Sequence, residues 1–138
     1  MPVVNELIKK EADGSFSFGN YELAVKSKAN DFEYEGDLYK VKTYKEITKL
    51  ERNGVFVYES VPGTAVNHFS FTENGVQFVV EGFGNPQITV GLEAGLEYKV
   101  SIDGVVVGMI QTNLGGKLVF STELGESGTA SVEIVCIK

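Results

Sequence analysis

Four carboxylates alternate along one short stretch of the 138-residue chain, where their oxygen atoms could together hold calcium. They are Asp31, Glu33, Glu35 and Asp37. Their spacing is not that of an EF-hand loop. A hairpin turning at Gly36-Asp37 would place two of them opposite lysines, in the pairs Glu33–Lys40 and Asp31–Lys42. We therefore predict a solvated charged face and no metal, with a calcium or other ligand site at these four residues as the alternative.

His68 is the only histidine, so any Ser-His-Asp triad or histidine-containing metal site must use it. The dipeptide Asn74-Gly75 predicts a hairpin turn, and pairing outward from that turn sets His68 opposite Glu81. We interpret His68 and Glu81 as a surface ion pair and keep both as candidate ligand-binding residues. No catalytic residue and no cofactor is predicted, because the sequence contains no phosphate-binding loop and no nucleophile with an identifiable base.

Basic residues are concentrated in a second short stretch, which holds five of the twelve in the chain. They are Lys40, Lys42, Lys45, Lys49 and Arg52. Such a stretch could be a docking patch for an anionic partner. Lysines that alternate along a strand also discourage edge-to-edge pairing of sheets, and this second interpretation is the one we favour.

The composition limits the partners and the compartment. A net charge of −7 and a pI of 4.7 argue against binding to nucleic acid or to an anionic membrane. No apolar run approaches the length of a transmembrane helix, and the N-terminus lacks the order of a secretory signal, so we expect a cytoplasmic protein. The single cysteine, Cys136, lies in the apolar string 132–137 and is predicted to be a small buried hydrophobic residue.

The distribution of glycines predicts the fold class. Sixteen glycines fall largely in turn dipeptides between β-branched and aromatic runs, which indicates an all-β fold. We predict one domain over residues 1–138, an antiparallel β-sandwich or a jelly-roll-like barrel. A short helix over residues 1–12 is also predicted, from apolar residues four positions apart, lysines in the last turn and Gly14 as a stop.

Hairpin turns define most of the predicted strands. Asn74-Gly75 sets Phe71 opposite Phe78, and Asp103-Gly104 sets Ile102 opposite Val105 and Val100 opposite Val107. Residues 43–53 could form a capped helix, but Asn53-Gly54 favours strands that pair Leu50 with Val57. Further strands are predicted at 16–23, 87–91, 117–122 and 130–137.

Two resemblances extend this interpretation. The segments GLEYKVSIDGVVVG, GGKLVFSTELG and SVEIVCI resemble the last strands of immunoglobulin-like or jelly-roll modules appended to bacterial glycan-active enzymes. The segments NELIKKEADGSFSFGNYELA and VKTYKEITKLERNGVFVYESVPGT are similar to short bacterial proteins labelled endosialidase-like. Sialidases bind the substrate carboxylate with several arginines, whereas Arg52 is the only arginine here. This resemblance therefore implies an accessory or folding module of phage-type enzymes rather than a catalytic domain.

The function favoured by the sequence is a non-catalytic structural or interaction module that forms a homo-oligomer. Both faces of residues 101–110 and of residues 131–137 carry Val or Ile, which is more apolar surface than one small domain can easily bury. The alternative is a carbohydrate- or calcium-binding accessory module that uses loop aromatics and the carboxylates at 31–37, with a glycan or protein partner. A glycoside hydrolase-related protein is the least favoured, because paired glutamates would need a separation that only a tertiary structure can show.

Overall fold

The structure is a computed structural model that describes residues 3–125 and 128–137. Its described residues form thirteen strands in two antiparallel sheets. The strands are β1 (Ile8–Lys10), β2 (Phe16–Phe18), β3 (Ser27–Tyr34), β4 (Asp37–Tyr44), β5 (Ile47–Arg52), β6 (Val55–Val61), β7 (Ala65–Thr72), β8 (Gly75–Glu81), β9 (Gln87–Gly91), β10 (Glu97–Ile102), β11 (Val105–Gln111), β12 (Lys117–Ser121) and β13 (Thr129–Cys136). The seven-stranded sheet has the order β1-β2-β7-β8-β13-β10-β11, and the six-stranded sheet has the order β12-β9-β6-β5-β4-β3. The predicted all-β sandwich is confirmed.

Aromatic side chains between the sheets form much of the core. The ring of Phe18 lies 5.3 Å from that of Tyr58, and Tyr58 lies 5.7 Å from Phe78, so β6 of one sheet contacts β2 and β8 of the other. The Tyr58 hydroxyl is fully buried and lies 2.8 Å from the Thr64 hydroxyl. A buried tyrosine needs such a partner, because an unpaired hydroxyl in the core would cost about 1–3 kcal/mol.

The predicted helix over residues 1–12 is wrong for the residues that the structure describes; residues 1 and 2 lie outside that part. Leu7 has a φ of 75°, which no α-helical residue adopts. Ile8 pairs with Phe18 in the first ladder, and Val4 donates its backbone N–H to the carbonyl of Gly19. The apolar spacing that indicated a helix instead buries Val4 and Ile8 against the core. No helix in the described part of the chain is long and apolar enough to cross a membrane.

The β3–β4 hairpin turns one residue earlier than predicted. Its central residues are Glu35 and Gly36, with φ of 53° and 86°, as a type I′ turn requires. Glu33 therefore lies opposite Leu38 rather than Lys40. Asp31 falls in a bulge and does not pair with Lys42.

The β7–β8 hairpin also turns one residue earlier, so Phe71 lies opposite Val76 rather than Phe78. A bulge between Asn67 and Ser70 then takes His68 out of the ladder. The residue opposite Glu81 is Ala65, so the predicted His68–Glu81 pair is wrong.

The other two hairpins turn where predicted. Residues 43–53 contain the end of β4, a two-residue turn and all of β5, with no helix, which confirms the strand interpretation. Ile102 pairs with Val105. One bulge in each hairpin displaces the more distant pairs: Leu50 lies opposite Tyr58 rather than Val57, and Val100 lies opposite Gly108 rather than Val107.

The separately predicted strands have mixed outcomes. The strand at 87–91 is confirmed, and those at 117–122 and 130–137 are shorter or shifted by one residue. The strand predicted at 16–23 ends at Phe18, because Gly19 adopts a φ of 98° where a Cβ would lie 2.5 Å from the carbonyl oxygen of Thr64.

Candidate functional site

The four acidic residues predicted as a ligand site lie around one hairpin tip. Asp31, Glu33 and Glu35 are exposed, and Asp37 accepts a hydrogen bond of 2.9 Å from the Asn53 side-chain amide. Among residues 3–125 and 128–137, no three acidic, histidine or cysteine side chains are grouped so that they could share a metal ion. Three of the four side chains face solvent, which is the arrangement of a charged loop.

His68 lies beside Asp13 and Ser15 instead of Glu81. Its Nδ1 atom is 3.0 Å from Asp13 Oδ2 and 3.2 Å from Ser15 Oγ. The Ser15 hydroxyl donates to Asp13 Oδ1 at 2.5 Å, and the Ser15 backbone N–H donates to the same oxygen at 3.0 Å. These two hydrogen bonds from Ser15, first the hydroxyl and then the backbone, lower the pKa of the exposed Asp13 carboxyl.

This cluster has the residue types of a Ser-His-Asp triad but not its geometry. A triad base contacts the acid through Nδ1 and the nucleophile through Nε2. Both contacts of His68 use Nδ1, and the Ser15 proton is directed at Asp13 rather than at the imidazole. The cluster therefore ties the β1–β2 turn to the bulge of β7. An Asp-x-Ser spacing favours such local side-chain hydrogen bonds, and the sequence interpretation missed it.

Glu81 lies apart from His68 and pairs with a residue that the sequence did not single out. Its Oε2 atom accepts a hydrogen bond of 2.8 Å from the Tyr21 hydroxyl. Its Oε1 atom is buried and has no hydrogen-bond partner among the described residues. Burial, and then the hydrogen bond to Glu81, raise the pKa of Tyr21. The Tyr21 ring also packs edge-on against Phe83 at 5.1 Å, so this cluster joins a loop to the end of β8.

A groove of about 630 Å³ lies at one end of the sandwich, and the two basic side chains that line it lie against aromatic rings. The Arg52 guanidinium lies 4.6 Å from the centre of the Phe71 ring, and the Lys117 ammonium lies 4.6 Å from that of Phe56. Cys136 lines the same groove, is only partly buried, and packs against the edge of the core. Cys136, predicted to be a small buried hydrophobic residue, is therefore only partly buried.

The four edges of the two sheets differ in how well they are protected from another chain. β1 has three residues, two of them lysines. β3 carries Lys28, Asp31 and Glu33 and is bent by a bulge, and the five-residue β12 begins with Lys117. These are the features by which natural sheets prevent edge pairing.

The fourth edge, β11, has the sequence VVVGMIQ and contains no charged residue and no proline. Val105 is 64% exposed, and Val106, Val107 and Met109 are each at least half exposed. β11 pairs with β10 on one side, and no strand of the described chain pairs with its other side. A bulge opposite Val100 and Ser101 leaves the stretch from Gly108 to Gln111 as its longest regular segment.

The lysine-rich stretch does not protect an edge as predicted. Lys40 and Lys42 lie on β4 and Lys49 lies on β5, and both strands are inside the six-stranded sheet. Lysines in such positions cannot shield an edge, so the favoured interpretation of this stretch is wrong. The Arg52 side chain contacts Phe71, as described above.

The geometry as a whole defines an antiparallel β-sandwich with a single uncharged apolar edge strand among its described strands. No protein-family profile matches the chain, and no curated protein or solved structure matches it.

Proposed function

We propose that this chain is a non-catalytic structural or interaction module that self-associates through β11. The observation that carries the proposal is the contrast between β11 and the other three edges: seven residues long, uncharged, and apolar on both faces. An exposed, apolar edge strand offers free backbone N–H and C=O groups to another strand. Pairing there would satisfy these groups and remove four half-exposed side chains from water in each copy.

A second copy of the chain is the partner that best fits this edge. Two β11 strands related by a twofold axis pair antiparallel with themselves, so the residues of this largely apolar strand face one another across the interface. The charges of the other three edges and the short length of β1 and β12 disfavour pairing of β11 with any of them. We therefore expect a closed dimer and no open fibre, because head-to-tail pairing would need a second receptive edge.

Electrostatics supports pairing at this edge more than at other surfaces. Two copies that each carry a net charge of −7 repel one another at long range. β11 itself contributes no charge to that repulsion. Salt screens the remaining repulsion over about 8–10 Å at physiological ionic strength, so the dimer should be more stable at moderate salt than at low salt.

The proposal includes a non-catalytic role and a cytoplasmic location. The contacts of His68 support the first part, since both use Nδ1. The single cysteine supports the second, because a free thiol suits a reducing compartment.

Sedimentation velocity over a wide range of protein concentration tests the proposal. We expect the wild type to shift from monomer to dimer as concentration rises. Val106→Lys should keep the protein monomeric, because it places two like charges at the dimer edge and removes two apolar contacts. The matched control is Val119→Lys, on the protected β12 edge, where Val119 is 44% exposed. Its dimerisation should equal that of the wild type.

Three results would contradict the proposal. The first is a wild type that stays monomeric at the highest concentration that can be measured. The second is a dimer that Val106→Lys leaves intact. The third is a dimer that only Val119→Lys dissociates, which would move the interface to β12.

A further inference from the structure

Three lysines form a row across the outer face of the six-stranded sheet. Lys28 of β3 lies directly opposite Lys42 of β4, and Lys42 lies directly opposite Lys49 of β5. Lys40 stands two residues from Lys42 on β4 and therefore points to the same face. Together, Lys28, Lys40, Lys42 and Lys49 are called the lysine patch below.

The row is unfavourable for the isolated protein. Like charges directly opposite one another destabilise a sheet, and Lys42 faces one such charge on each side. Within the described part of the chain, the one ion pair in the patch joins Lys49 to Glu51 at 3.7 Å. Lys40 lies directly opposite Glu51, and Lys49 lies directly opposite Glu59. Lys28 and Lys42 have no acidic residue opposite them in the described ladders, so these two charges are left to solvent ions or to a ligand.

The shape of the patch restricts what can bind. Four lysines and Glu51 surround a depression of about 60 Å³. That volume is well below the roughly 300–1,000 Å³ of pockets that enclose a small molecule. It can hold one carboxylate-sized group, while the neighbouring lysines lie along the surface at the strand spacing of about 4.8 Å. The matching ligand is a chain that carries repeated, well-separated anionic groups.

We propose that the lysine patch binds an anionic polysaccharide with about one carboxylate per sugar, of the polyuronate type. Lysine ammonium groups act as point charges and bind carboxylates without the planar geometry that arginine demands. The spacing of the three opposed lysines, which span about 10 Å over three strands, suits charges one sugar apart. Binding would relieve the repulsion within the row.

Two other polyanions fit less well. An acidic peptide is normally recognised at a sheet edge, in a groove or by arginine clusters, whereas β4 and β5 are interior strands whose backbone groups are already paired. Duplex DNA carries one charge per about 1.7 Å, and its binding requires more phosphate contacts than four lysines supply.

Titration of the full-length protein with fluorescently labelled oligogalacturonate, at low and at physiological ionic strength, tests the proposal. We expect saturable binding that weakens with salt. Lys42→Gln should weaken it about fivefold, equivalent to about 1 kcal/mol for one ammonium–carboxylate contact near 4 Å in water. The control Lys99→Gln, on β10 of the other sheet, should bind like the wild type, and so should Val106→Lys. Fully methyl-esterified oligogalacturonate, which has the same sugars without the charge, should not bind.

Several outcomes would overturn the inference. One is the absence of saturable oligogalacturonate binding by the wild type. Another is equal weakening by Lys42→Gln and Lys99→Gln, or full binding of the esterified oligomer. Tighter binding of polyglutamate or of duplex DNA would assign the patch to a protein or nucleic-acid partner. Lys49→Gln is a second variant that should also weaken oligogalacturonate binding. Far-UV circular dichroism checks that each variant is folded.

Discussion

The lysine row makes a quantitative prediction about stability in the absence of any ligand. Lys42→Gln removes the central charge of the row and with it two directly opposed like-charge pairs, with Lys28 and with Lys49. Two unit charges about 5 Å apart in water repel by roughly 0.8 kcal/mol. Flexible side chains move their ammonium groups apart, so we halve that value for each pair. Lys42→Gln should therefore raise the free energy of unfolding by about 1 kcal/mol at low salt.

Urea unfolding at low ionic strength and at 1 M salt measures this effect. With an m-value of about 2 kcal/mol/M, a gain of about 1 kcal/mol moves the midpoint up by about 0.5 M. At about 1 M salt the Debye length falls to about 3 Å, and the gain should nearly vanish. The control Lys99→Gln changes the net charge equally, but Lys99 lies opposite Met109 and Val135 and faces no like charge. Lys99→Gln should therefore show no comparable gain in the free energy of unfolding.

Two results would refute this reasoning. Lys42→Gln could destabilise the protein at low salt, which would mean that the ammonium group makes a favourable contact. Alternatively, an equal gain at low and high salt would show that the stabilisation comes from packing or strand propensity. In either case the row would not be under electrostatic strain, and an anionic ligand would have no repulsion to relieve.

The remaining predictions concern the two clusters around Tyr21 and His68. Tyr21→Phe removes the hydroxyl that donates to Glu81 Oε2, and since Glu81 Oε1 already lacks a partner among the described residues, the carboxylate would lose its one hydrogen bond. We expect a loss of about 1–3 kcal/mol in urea unfolding at neutral pH, and a variant as stable as the wild type would show that water already solvates this carboxylate. Ser15→Ala should raise the pKa of the Asp13 carboxyl toward its ordinary value of 3.8, because the hydroxyl hydrogen bond is the largest cause of the lowering, and a ¹³C-detected NMR titration measures it. Since the folded-state pKa of Asp13 is depressed, its contribution to stability is present above the unfolded-state pKa and is lost as the pH falls through the lowered value. An unchanged Asp13 titration in Ser15→Ala would contradict the hydrogen bonding described here.

The sequence predicted the fold class well because glycine-containing turns and alternating side chains are local features. Asn53-Gly54 and Asp103-Gly104 turn where their dipeptides indicate, with positive φ at all four residues. The N-terminal helix was wrong because two apolar residues four positions apart fit either a helical face or two separate core contacts, as Val4 and Ile8 make here. Only packing against the rest of the domain decides between a helical face and two separate core contacts.

Register was predicted less well because bulges depend on the neighbouring strand. An earlier hairpin turn and a bulge together separate His68 from Glu81, and the contact of His68 with Asp13 spans 55 positions in the chain. The lysine row shows the same limitation: its residues were identified, but whether they lie on an edge or inside a sheet is a property of strand order. The apolar excess around residues 101–110 was recognised from sequence, and strand order places it on an edge.

Amide hydrogen exchange of β11, measured by NMR at several protein concentrations, tests the central claim of self-association most directly. Amides that point away from β10 are unpaired in the monomer and should exchange rapidly in dilute solution. We predict that their protection rises with protein concentration, in step with the dimer fraction, while amides of β12 and β3 keep constant exchange rates. Protection of β11 that does not change with concentration, in a sample that sedimentation shows to be dimeric, would contradict an interface at this strand.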